Sequence, residues 1–139
     1  MNRGLLLWFG VVALAALATS ASASPAGRSP ICTHGLGTVE RDPRHLLPLT
    51  SNSIAPATAA ALRYTNPSAR PEVVSASLAT ADHLRGGEAK VDCGARVWRR
   101  TVVVYITLRA FLPSSASLSE RVFFVGRFRQ GYRVWQVVH

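Results

Sequence analysis

Cysteine is scarce in this chain of 139 residues, with only Cys32 and Cys93 present. Neither stands in a CxxC pair or in the Cys/His spacing of a zinc module, which argues against a metal-built fold. Lysine is nearly missing: Lys90 stands alone beside 15 arginines, and only seven residues are acidic. So marked an arginine skew, with abundant alanine, reads as the codon bias of a GC-rich bacterial genome more than as a chemical demand. Nucleophile signatures are also lacking, since there is no GxSxG and no SxxK. Beyond residue 18 no stretch approaches the 18 or more apolar residues of a membrane-spanning helix.

What is present begins with a three-part N-terminus. Arg3 is followed by the apolar run 5–18 and a small polar tract 19–24, the order of a secretory signal peptide. Fourteen apolar residues rise only about 21 Å as a helix, short of the roughly 30 Å of a hydrocarbon core. Ala21-Ser22-Ala23 offers the small side chains a signal peptidase accepts, so cleavage is expected near Ala23, with 16–18 as the second choice. The tripeptide before Cys32 is wrong for a lipid anchor. Residues 1–23 are thus expected as a signal peptide, leaving about 116 residues outside the cytoplasm as a soluble chain with no transmembrane segment. An oxidising destination makes a Cys32–Cys93 disulfide the default, closing a loop of about 60 residues worth about 4 kcal/mol.

Within the mature chain, 24–50 is rich in Pro, Gly, Ser and charge and reads as an extended lead-in to a single domain over 51–139. Ser51-Asn52-Ser53, Pro56 and the alanines that follow predict a helix over 51–65, stopped by Asn66-Pro67. Period-two alternation from Val74 predicts a strand to about His83, against a competing helix over 72–84, and Arg85-Gly86-Gly87 marks a turn. The clearest element is 96–111, a strand whose even positions from Trp98 to Ala110 form an apolar face. After a loop at 113–119, strands 121–129 and 132–139 form a hairpin around Gln130-Gly131. A two-residue loop sets Gly126 opposite Trp135, with Val122, Phe124, Phe128, Trp135 and Val137 on one face. The three-residue alternative places Arg127 against Arg133 and is disfavoured. These elements predict an α+β fold: one or two N-terminal helices packed on a curved antiparallel sheet of about four strands.

The strand WRRTVVVYITLRAF, the strand RVFFVGRFR and the closing GYRVWQVVH together resemble the end of a cystatin-like, nuclear-transport-factor-like domain, the shape shared by ketosteroid isomerases and polyketide-cyclase-like proteins. The resemblance covers about a third of the chain. It implies helices closing a pocket over the sheet; no catalytic residue carries over.

Two constellations stand out. His34, Glu40, Asp42 and His45 are the densest set of ligand-type side chains, but a Pro-rich loop gives them no convergent spacing, and they read as solvated polar groups. Strand parity gathers Tyr105, Arg109, Arg127, Arg129 and Tyr132, with Gln136, on an outer face. Interleaved guanidiniums and phenols there suit an anionic ligand or an acidic protein, although a solvated sheet face explains them too. No specific nucleic-acid motif, cofactor motif or metal set is visible. The reading is an exported, basic, non-enzymatic binding or accessory domain. Its alternatives are a small-molecule pocket protein or enzyme of the cystatin-like fold, and a secreted interaction protein using the arginine-rich face.

Overall fold

The computed structural model describes residues 37–111 and 119–139. The signal peptide, Cys32, His34 and most of the 113–119 loop lie outside the described residues. Among the described residues, two α-helices and a five-stranded antiparallel sheet make an α+β fold: β1 (Gly37–Val39), α1 (Ile54–Tyr64), β2 (Pro71–Leu78), α2 (Gly86–Trp98), β3 (Thr101–Leu108), β4 (Glu120–Phe128) and β5 (Gly131–Val138). The spatial order is β1-β5-β4-β3-β2. No described helix is long and apolar enough to cross a membrane.

Helix α1 forms where the alanine run predicts it and ends at Thr65, which turns extended ahead of Asn66-Pro67. It buries Ala57, Ala60 and Ala61, so the helix lies close to the sheet, while Ile54 and Tyr64 at its ends stay exposed. Beneath it pack Val102, Val104, Ile106 and Leu108 of β3, Phe123 and Val125 of β4, and Val134 and Val137 of β5. The even-numbered apolar face of β3 is therefore the floor under α1.

The opposite sheet face is not a solvated surface, as the arginine-rich outer face required. Helix α2 covers it, and Ala89 and Val97 pack with Val103, Phe124, Trp135 and Val138. The expected strand over 96–111 is shorter for this reason: Trp98 closes α2 and hydrogen-bonds the Ala79 carbonyl through Nε1 at 3.0 Å. Two signals hid α2. Gly86-Gly87 reads as a turn, and Gly94 (φ 85°, ψ 166°) breaks the helix into two runs. The helix starts there because Asp82 Oδ1 accepts from the amides of Leu84, Arg85 and Gly86 at 3.1, 2.7 and 2.7 Å, satisfying donors a helix end leaves orphaned.

The segment expected as a lead-in is part of the fold from Gly37 onward. Strand β1 pairs with β5, and Leu46, 1 % exposed, sits over Gly126 so closely that a Cβ there would lie 2.1 Å from Leu46 Cδ2. The neighbour that needs the glycine is Leu46, not Trp135. The Leu47 amide fastens the segment by donating to the Arg127 carbonyl at 2.7 Å.

The hairpin adopts neither register weighed from the sequence. The loop is Arg129-Gln130, Phe128 pairs with Gly131, and Gly126 pairs with Arg133. Gly131 takes φ 99°, a conformation open to glycine, which lets the strand begin one residue early. The register then shifts between Phe124 and Val125, leaving Trp135 as the extra residue of a bulge. Val122, Phe124, Phe128 and Trp135 stay together on the α2 side, but Val137 crosses to the α1 side and Val138 takes its place. The same bulge carries Gln136 from the expected outer face into the interior, where neither atom of its amide, nor Trp135 Nε1, has a hydrogen-bond partner among the described residues. A second bulge in β2 turns Val74 out to 66 % exposure and helps blunt that edge strand.

Candidate functional site

Of the five residues gathered by strand parity, the tertiary structure keeps Arg127 and Tyr132 adjacent and separates Tyr105 and Arg109 from them. Tyr105 lies on the α2 side, where its hydroxyl donates to Asp82 Oδ1 at 3.0 Å; burial, reinforced by that carboxylate, pushes its phenol up to about 12. Arg109 has left the strand for a 3-10 turn and pairs with Glu72 across the sheet edge. Arg127 and Tyr132 are cross-strand partners. Arg127 reaches the Pro48 carbonyl at 3.4 Å, and the Tyr132 hydroxyl is 2.6 Å from Ser53 Oγ in front of α1. Arg129 is exposed in the hairpin turn.

The ligand-type cluster disperses as well. Asp42 Oδ2 holds Arg44 NH2 at 2.6 Å, and that contact keeps its carboxyl below the usual range. Glu40 and His45 line different cavities. Among the described residues, no group of three or more His, Cys, Asp or Glu side chains is placed to hold a metal ion.

The most site-like cavity lies between the C-terminal end of α1 and the open end of the sheet, with a volume of about 430 Å³. That is within the range of small-molecule pockets. Each wall follows from a local choice. Leu108, Phe123 and Val137, all under 7 % exposed, form the floor because the parity of β3, β4 and β5 turns them toward α1. Tyr64, ending α1, meets Phe123 edge to face with centroids 5.8 Å apart. Phe111 closes one end from the 3-10 turn after β3.

The polar end of the groove is built from Arg121 and His139. Arg121 stands two residues before Phe123 on β4 and so shares its side of the sheet. Partial burial lowers its guanidinium from the usual value, and one nitrogen donates to the Glu120 carbonyl at 2.9 Å. Among the described residues it joins no ion pair with a carboxylate. Burial and the neighbouring Arg121 charge lower His139. Across the groove, burial and the nearby Glu40 carboxylate raise the Tyr64 phenol.

A larger cavity of about 680 Å³ on the α2 side shares Arg121 and His139 at its rim. Its apolar wall includes Val74 and Leu84, 66 % and 82 % exposed, whereas the smaller groove is floored by core residues.

Sequence reasoning missed Arg121, His139, Tyr64 and Phe111 as a set. A signal for Arg121 was present: an arginine with the same parity as Phe123 and Val125 in an apolar strand is aimed inward. No family model, curated protein or solved structure matches this chain.

Proposed function

We propose that this protein is exported behind a signal peptide cleaved near Ala23, carries a Cys32–Cys93 disulfide, and acts as a non-enzymatic binding domain. Its ligand site is the groove between α1 and the open end of the sheet, and its ligand is a small amphiphile bearing a carboxylate. The observation that carries this reading is a half-buried arginine, Arg121, at the end of an aromatic, apolar groove. A partly desolvated cation that joins no ion pair among the described residues gains most from an anionic ligand whose apolar part covers the floor. Cys93 supports the covalent part, since it is not a free thiol. The cystatin-like resemblance implies a pocket over the sheet, which is in keeping with this reading; here α1 is the one described helix on that face, so the groove stays open.

Titration of labelled protein with 4-phenylbutyrate and with the matching alcohol, followed by amide NMR shifts, tests the site. Saturable shifts are expected at Tyr64, Leu108, Phe123 and Val137. Arg121→Leu should weaken the carboxylate roughly tenfold or more and leave the alcohol unchanged. Shifts centred on Val74 and Leu84 instead, or equal weakening of both ligands, would sink the proposal.

A further inference from the structure

At the far end of the sheet from that groove, a separate cavity of about 490 Å³ is bounded by His45, Arg96, Arg100 and Arg129, with Leu46 and Phe128 as apolar wall. Among the described residues, no carboxylate lines it. The four basic side chains come from four places in the chain: the 3-10 turn Pro43–His45, the last turn of α2, the turn that follows it, and the β4–β5 hairpin loop. None of the three arginines forms an ion pair among the described residues, whereas nearby Arg44 is neutralised by Asp42.

We propose that this cavity is a binding site for the phosphoryl group of a small phosphorylated molecule of about sugar-phosphate size. The site is independent of the groove containing Arg121. The like charges of Arg96, Arg100 and Arg129 repel one another and lower stability unless an anion joins them. A basic residue in the last turn of α2 complements the helix dipole, which accounts for Arg96 alone. It does not account for Arg129 and His45 converging on the same space. Arg100 is fixed in advance, since NH1 donates to the Leu46 carbonyl at 2.5 Å and Leu46 is locked over Gly126. That leaves the rest of its planar fork, with those of Arg96 and Arg129, around one volume. A carboxylate is satisfied by one such fork, but a tetrahedral dianion presents oxygens to several. Phe128 and Leu46 offer the organic part of the ligand an apolar wall.

The test uses the full mature chain at constant ionic strength, titrated with inorganic phosphate, a hexose phosphate and the unphosphorylated hexose. Arginine side-chain NMR signals provide the readout. Phosphate and hexose phosphate are expected to bind saturably, the hexose phosphate more tightly, with the hexose silent. The pair Arg96→Gln with Arg129→Gln should weaken phosphate at least tenfold. The charge-matched pair Arg41→Gln with Arg63→Gln, which line a different cavity, should change it less than twofold. Circular dichroism confirms the fold of both variants. Equal weakening in the two pairs, or tighter multi-site binding of duplex DNA than of hexose phosphate, overturns the proposal in favour of net charge or a polyanion surface. Neither outcome bears on the carboxylate titration of the Arg121 groove.

Discussion

Two adjacent glycines carry opposite demands, although in the sequence they read as one turn. A Cβ on Gly86 would lie 2.1 Å from the Ala79 carbonyl oxygen, a backbone atom that cannot move aside without breaking the junction of β2 and α2. A Cβ on Gly87 meets nothing within 4 Å. Gly86→Ala is therefore expected to destabilise by about 2 kcal/mol or more, through overpacking. Gly87→Ala should stabilise by about 0.5–1 kcal/mol, by removing freedom from the unfolded chain inside a helical turn. Urea unfolding midpoints check both, and similar effects at the two positions would refute this geometry. Only the position of Ala79 separates the two glycines.

At the scale of an element, α2 depends on one carboxylate. Burial alone would raise the Asp82 carboxyl, but the amides of Arg85 and Gly86 and the hydroxyls of Tyr105 and Ser77 together hold it below its usual value of 3.8. A carboxyl lowered by folding stabilises the protein above its unfolded pKa, and that contribution is lost as pH falls through the lower folded value. The wild type should therefore lose stability in the acid range below about pH 4. Asp82→Asn, which keeps an acceptor oxygen and removes the charge, should be less stable at neutral pH and show a flatter acid limb. Parallel acid limbs in urea melts would show that Asp82 is not the group responsible. The helix itself was hidden from sequence reasoning because its support is a side chain four residues before it and its inner face is small: Gly86, Ala89 and Cys93. Helix α1 was legible because its alanines, Pro56 and Asn66-Pro67 act within the element.

For the whole molecule, the proposed Cys32–Cys93 bridge would tie α2 to the chain before β1. Breaking it should cost about 4 kcal/mol on the chain-entropy estimate. The exported form should have a mass lower by two hydrogens than the dithiol, and its urea midpoint should fall sharply on reduction. A mass matching two free thiols would remove the bridge. The two candidate sites sit at opposite ends of the sheet, and neither was assembled in the sequence. Arg129 was singled out, but with Tyr105 and Arg109, from which the fold separates it; its neighbours in space are Arg96, Arg100 and His45.

The sequence by itself determined what is local: the β character of β3 and β4, the period-two faces they present, the extent of α1 and the existence of a terminal hairpin. These follow from backbone propensity and from side chains a few residues apart, and they suffice for an α+β assignment. Only the tertiary structure decided the register of that hairpin, which faces are covered and which arginines meet. A bulge adds one residue and reverses the faces of the residues beyond it, and the apolar pattern around Trp135 reads equally well with or without it. The choice falls to long-range packing, of Leu46 on Gly126, Phe124 on Trp135 and α2 on Val103, which is decided by residues tens of positions apart.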